Sequence, residues 1–207
     1  MALRLAATFG TRAQQAAQLW REKQLEYTFR RALMRQYVDF DVCTRQALRY
    51  VSASLGVALD AAAEQALLEA YLHLPAFADA EPGLAMLKRA GHRLVALTNG
   101  TERSARSVLE NAGLTDYLEA VLSVEPLETF KPDPAVYALV GKLTTGNAAP
   151  AWLVSGNPFD VIGAQACGLK VAWLRRDPQK VFDPWEVSPD VVVGNLEELY
   201  EKLPVGR

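Results

Sequence analysis

Four places in the chain carry side chains of a type and setting that can do chemistry. Lys131 sits in Phe130-Lys131-Pro132-Asp133-Pro134, where two prolines restrict the backbone and hold the ammonium at the start of a helix. A lysine beside a carboxylate favours its ionised form and counters developing negative charge; the plainer reading is a solvated surface lysine. Asp160 ends the run Ser155-Gly156-Asn157-Pro158-Phe159-Asp160, from which its carboxylate can orient Lys131 or a water, or simply cap a helix. Thr98-Asn99-Gly100 offers a hydroxyl and an amide ahead of a helix whose free N–H groups attract anions, and the same residues serve ordinary capping equally well. Arg21 follows Trp20 on a long helical stretch near Leu25 and Tyr27. Its guanidinium suits bidentate capture of a carboxylate, with a charged hydrogen bond worth roughly 1.5–3 kcal/mol, although most arginines on such helices are solvated.

The elements that must position these groups follow from patterning. After Pro75, short apolar runs alternate with helical stretches, as in parallel βαβ units. The runs are 93–97, 120–123, 151–154, 170–174 and 190–193. In open sheets of this kind ligands sit outside the carboxyl ends of the strands, and Thr98, Lys131 and Asp160 all follow such runs. Before Pro75 the texture differs: from Thr11 to about Leu74 glycine and proline are nearly absent and apolar residues recur at helical spacing. Breaks at Val38-Asp39-Phe40 and from Gly56 to Asp60 predict about three helices, with Asp39 and Asp60 as N-caps. The expected fold is α/β, with a Rossmann-like parallel-sheet core over 78–207 and a helical cap subdomain over 1–77.

Composition narrows the function classes. Of 207 residues half are hydrophobic, 22% are charged and the net charge is −2, which argues against disorder and against a nucleic-acid partner. No stretch approaches the ~18 apolar residues of a membrane span. Cys43 and Cys167 stand far apart in no ligand-like spacing and read as free thiols in a reducing compartment, so a cytoplasmic location is expected. His73 and His92 lack partners at metal-ligand spacing, and neither a metal nor a cofactor is expected. Trp20, Tyr27, Phe29, Tyr37 and Phe40 recur at intervals that suit a helical core, and core packing is the expected role of most of them.

The three strand-end motifs, Leu97-Thr98-Asn99-Gly100, Phe130-Lys131-Pro132-Asp133 and 155–160, resemble motifs two to four of the haloacid dehalogenase (HAD) superfamily. The stretch from Leu19 to Thr28 and the later Tyr37-Val38-Asp39-Phe40 resemble the cap of its L-2-haloacid dehalogenases. The resemblance spans essentially the whole chain. It implies a HAD-like core, a helical cap, usually a homodimer, and metal-free hydrolysis of short 2-haloalkanoic acids to 2-hydroxy acids with inversion at C2. An aspartate displaces halide to form an ester, which water then opens. By motif match, Lys131 would hold that aspartate ionised, and Thr98 and Asn99 would contact the substrate carboxylate or the nucleophile. Ser155, Asn157 and Asp160 would order Lys131 and the hydrolytic water, and Arg21 would receive the halide or carboxylate. Leu25, Phe40, Tyr137 and Phe159 would line the pocket around the halogen-bearing carbon.

The sequence departs from the family pattern in two places. Gly156 stands where a second serine is common. More importantly, the family opens with a strand ending in Asp-x-Tyr-Gly-Thr, and nothing here matches it; the first carboxylate side chain is Glu22. The core is therefore expected to lack its first strand, and the chain as given to be inactive, with Met1 to Gly10 filling the gap as a strand without an acid. A start placed too far downstream is the favoured reason, ahead of a shortened chain or a member that has lost catalysis. Two alternatives remain. A HAD-type phosphatase would want a second acid in the first motif and an acidic pair in the fourth, and Asp160 has no adjacent acid. A non-catalytic carboxylate-binding homologue has the missing nucleophile as its support.

Overall fold

A computed structural model describes residues 2–144 and 150–203, with only the backbone for 142–144. In chain order the elements are helices α1 (Ala2–Phe9), α2 (Ala13–Met34), α3 (Phe40–Ser54), α4 (Ala61–Leu72) and α5 (Ala80–Arg89), then strand β1 (Val95–Thr98), α6 (Glu102–Asn111), β2 (Ala120–Ser123), α7 (Pro134–Thr144), β3 (Trp152–Ser155), α8 (Pro158–Ala166), β4 (Lys170–Leu174), β5 (Val191–Val193) and α9 (Leu196–Lys202). The chain divides into two compact units, one of Met1–Pro75, Thr98–Ala112 and Ser123–Phe130, the other of Ala76–Leu97, Gly113–Leu122 and Lys131–Arg207.

The first unit is helical. The predicted helices between Thr11 and Leu74 form as α2, α3 and α4, broken where expected. Asp60 caps α4 by accepting from the Ala63 N–H at 2.7 Å, whereas Asp39 holds the N-cap position of α3 without a side-chain cap bond. The expectation of a strand within Met1 to Gly10 is overturned: Ala2–Phe9 is α1. Leu5 and Phe9 lie one turn apart on a run rich in alanine and leucine, so both enter the core shared by Ala16, Trp20, Ala47 and Leu48. A buried polar thread ties the bundle. The Trp20 indole N–H donates to the Thr44 carbonyl at 2.8 Å, the Gln24 amide donates to Thr44 Oγ1 at 2.6 Å, and the Tyr71 hydroxyl donates to Gln24 Oε1 at 3.3 Å.

The second unit holds the strands, and every predicted run is a strand within one or two residues. β3, β4 and β5 pair in parallel, with Trp152 opposite Lys170 and Ala172 opposite Val191. Side-chain alternation along β4 divides the packing between two faces. Val171 and Trp173 join Tyr137, Leu153, Val161 and Ala164, while Ala172 and Leu174 join Leu87, Val193, Leu196 and Leu199. Asp79 braces this unit, receiving both Arg176 nitrogens at 2.9 Å and the Leu196 N–H at 3.0 Å. β1 pairs with β2 in a separate two-stranded sheet. Among the described residues no hydrogen-bonded strand joins the two sheets. No described helix is long and apolar enough to cross a membrane.

Candidate active site

Lys131 and Asp160 meet in the second unit. The loop ahead of α7, with a cis peptide between Lys131 and Pro132, carries the lysine; the first turn of α8, just after β3, carries the aspartate. Lys131 Nζ donates to Asp160 Oδ2 at 3.0 Å, and the two residues are only 8% and 4% exposed. That burial removes the surface-lysine reading. It also removes capping for Asp160, whose oxygens face side chains rather than the N–H groups of α8. The remaining carboxylate oxygen, Oδ1, accepts from the Tyr137 hydroxyl at 2.9 Å, and the same hydroxyl reaches the Asp160 carbonyl at 3.2 Å.

Tyr137 was expected to line a substrate pocket. It is instead 1% exposed, with its ring in the cluster around Val161 and Trp173. Burial pushes its phenol pKa up, and the adjacent Asp160 carboxylate adds to the shift, so the hydroxyl stays a donor. Glycine at 163 permits this arrangement: a Cβ there would come within 2.6 Å of Pro132 Cβ and 2.7 Å of the Tyr137 oxygen. The triad is a fixed ammonium, a carboxylate that orients it and a phenol that orients the carboxylate. Such a unit stabilises a neighbouring anion.

The strand ends share one local device. At the last residue of β1, β2 and β3 a hydroxyl accepts from the N–H two positions on: Thr98 from Gly100 at 3.0 Å, Ser123 from Glu125 at 3.0 Å and Ser155 from Asn157 at 3.1 Å. These turns bend the chain sharply at the rim where ligands bind in open sheets. Thr98 and Asn99 do not cap α6, because Thr101 does so by accepting from the Ser104 N–H at 3.1 Å. Ser123, absent from the expected set, also donates to the Gly100 carbonyl at 2.8 Å. A serine closing an apolar run was its only sequence signal.

The other expected residues are distributed between the units. Thr98, Asn99, Arg21, Leu25 and Phe40 belong to the first, and Ser155, Asn157 and Phe159 to the second. Arg21 is half-buried and donates to Gln24 Oε1 at 2.6 Å. Leu25 and Phe40 are half-buried, as is Phe159. Phe40 faces Phe130 at a ring separation of 6.4 Å, and Tyr37 of the same cap motif lies 5.0 Å from that ring. The Tyr37 hydroxyl is buried with no partner among the described residues. Burial, with the Asp39 charge adding to it, pushes its pKa up to about 12. Among the described residues no group of three His, Cys, Asp or Glu is placed to hold a metal.

A family described as haloacid dehalogenase-like hydrolase matches residues 3–168. The (S)-2-haloacid dehalogenase of Pseudomonas sp. strain YL is 38% identical over 193 residues, 93% of this chain and 83% of that protein. The chain belongs to this family. The (S)-2-haloacid dehalogenase of Xanthobacter autotrophicus is 40% identical across 93% of this chain and 78% of its own length. The solved L-2-haloacid dehalogenase from that organism superposes with a TM-score of 0.89 at 34% identity, covering 97% of this chain and 90% of that one. A further structure of that protein carries chloropropionic acid covalently bound. The α/β fold with parallel strands and the hydrolase class, both expected from the motifs, are those of the haloacid dehalogenases.

Proposed function

We propose that this chain carries the site of an (S)-2-haloacid dehalogenase, which hydrolyses short 2-haloalkanoic acids to 2-hydroxy acids and releases halide. The observation that carries the reading is the buried Lys131–Asp160 pair at the carboxyl end of β3, held by Tyr137. The relatives' activity and the covalent chloropropionate on the Xanthobacter enzyme support it.

In this reading an aspartate carboxylate attacks C2 of the haloacid, the carbon–halogen bond breaks with inversion, and an ester forms. Water then adds to the ester carbonyl, and the 2-hydroxy acid leaves as the carboxylate is regenerated. Lys131 keeps the attacking carboxylate ionised and offsets the charge that builds on the ester oxygen. Asp160 and Tyr137 hold the lysine in place, and Ser155 and Asn157 fix the turn beside it. The resemblance assigns Thr98 and Asn99 to the substrate carboxylate or the nucleophile, Arg21 to the leaving halide or carboxylate, and Leu25, Phe40 and Phe159 to the surround of the halogen-bearing carbon. The division into a cap over 1–77 and a core over 78–207, supported by the change of patterning near Pro75, a homodimeric assembly, supported by the resemblance, and a cytoplasmic location, supported by the two cysteines, complete the reading.

No carboxylate precedes Glu22, which shapes the test. Chloride release from (S)-2-chloropropionate is recorded in the presence of a chelator, both with this chain and with the same chain carrying whatever its gene encodes in frame ahead of Met1. Release from either form, abolished by Lys131→Met, is the expected result. A folded protein that releases none in either form overturns the reading.

A further inference from the structure

The turn that follows β3 is held at both ends of one peptide group, the one joining Gly156 to Asn157. Its N–H, on Asn157, donates to Ser155 Oγ at 3.1 Å, and its carbonyl, on Gly156, accepts from the Lys180 ammonium. A peptide whose carbonyl takes a charged donor is polarised, and its N–H becomes a stronger donor in turn. The lysine therefore acts on Ser155 through that peptide as well as on the orientation of Asn157. Asn157 holds the N-cap position of α8 without a side-chain cap bond, so its amide is not committed to the helix.

Lys180 lies 24 residues from Gly156 in sequence, and the fold returns it by local means. β4 runs parallel to β3, with Trp173 opposite Ser155, so the two strands end side by side. Asp177-Pro178-Gln179-Lys180 then forms a turn, in which the Lys180 N–H donates to the Asp177 carbonyl at 3.0 Å and the Gln179 N–H to Asp177 Oδ1 at 2.9 Å. Aspartate at the first position and proline at the second are what such a turn favours, one for its side-chain acceptor and the other for its fixed φ. Just beyond, the Phe182 ring packs against Trp173 at 5.0 Å and anchors the far side of the segment. The receiving end is shaped to match. A Cβ at 156 would meet the Leu174 carbonyl oxygen at 3.2 Å, so glycine lets the turn after β3 lie against the end of β4, within reach of the loop that follows it.

We propose that Lys180 is a positioning residue of this site. It pins the Gly156–Asn157 peptide and thereby fixes Ser155 Oγ and the Asn157 side chain toward the hydrolytic water. The role at the water rests on the dehalogenase reading; the pinning stands on the contacts alone. Lys131 has separate support in Asp160 and Tyr137, so loss of Lys180 slows the opening of the ester by water and leaves attack on the haloacid at its normal rate.

The test uses Lys180→Met, which keeps the stem and loses the donor, and Lys180→Arg, which keeps a cationic donor. In the chain of 207 residues, Lys180→Met speeds exchange of the Asn157 N–H about tenfold while the melting temperature stays within about 2 °C, as befits an exposed contact. Lys180→Arg restores most of the protection. In whichever form of the chain releases chloride from (S)-2-chloropropionate, Lys180→Met lowers kcat and KM together, by up to about tenfold, and leaves kcat/KM unchanged. Its first turnover appears as a burst approaching one chloride per chain, because the ester accumulates. Lys180→Arg removes most of that burst. Unchanged exchange at Asn157 overturns the pinning, and equal losses of kcat and kcat/KM without a burst overturn the role at the water. If the unsubstituted chain releases no chloride in either form, the dehalogenase reading falls and the exchange result alone decides the pinning.

Discussion

β4 and β1 have nearly the same kind of sequence and opposite fates. Val-Ala-Trp-Leu at 171–174 is buried at every position, while Val-Ala-Leu-Thr at 95–98 is half-exposed at every position. β4 is paired on both edges and covered on both faces, and among the described residues β1 is paired only with β2. The helical unit makes the point from the other side: Ala16, Ala47, Leu48 and Val51 are sealed from solvent, because helices satisfy their main-chain bonds within themselves and need only side-chain contacts to close a core. A helical bundle completes itself locally, whereas a sheet is finished only by its neighbours.

The sharpest way to break this contrast lies in the second unit's sealed half. Asp160→Ala leaves the Lys131 ammonium buried without its carboxylate, and breaking such a pair costs about 3–5 kcal/mol; urea unfolding measures it. The double variant Lys131→Met with Asp160→Leu recovers most of that loss, because the penalty belongs to the unpaired charge rather than to a strong net attraction. A double variant as unstable as Asp160→Ala would show that the triad itself holds the fold.

Next in size is a direct comparison between the sealed and open regions. Leu48→Ala opens a cavity among fully buried helices and costs about 3 kcal/mol, within the usual 2–5 for such truncations. Leu97→Ala removes side-chain atoms that already border an open space and costs roughly 1 kcal/mol or less by the same accounting. Equal losses in denaturant would mean that β1 is as well packed as the helices.

The same distinction explains what could be read from the sequence. The strand runs, the three middle helices and the Asp60 cap rest on local periodicity and local hydrogen bonds, and all are found where predicted. The Lys131–Asp160 meeting was legible because each follows an apolar run read as a strand of an open α/β sheet, in which strand ends gather on one rim. Tyr137 as the partner of Asp160 was not, since its helical position is equally consistent with packing and the contact spans 23 residues. The expected strand at Met1 to Gly10 failed for a related reason. Its purpose was set by a gap elsewhere in the sheet, but its own residues repeat at helical spacing and pack with α2 and α4. No local pattern reports whether an edge will find a partner.

Smaller effects test individual contacts. Tyr137→Phe deletes the donor to Asp160 Oδ1 and costs roughly 1.5–3 kcal/mol, the range for a hydrogen bond to a charged group. Asp60→Ala removes the α4 cap and costs about 1 kcal/mol, a local loss that thermal melting resolves.

Tyr37→Phe is expected to have the smallest effect at neutral pH and the opposite sign. The wild-type hydroxyl is buried without a partner among the described residues, so removing it deletes a desolvation cost and no bond, leaving stability unchanged or raised by up to about 1 kcal/mol. The pH dependence separates this from a neutral substitution. Burial raises the folded-state pKa of Tyr37 to about 12, above its unfolded value near 10. The protonated phenol therefore contributes a stability that is complete below pH 10 and drains away as pH rises through 12, because the unfolded chain releases that proton first. Unfolding midpoints measured from pH 8 to 11.5 should separate above pH 10, the wild type falling faster than the Phe variant. Parallel curves would mean that the phenol is hydrated in solution and that the aromatic pair with Phe130 is looser than its 5.0 Å ring separation implies.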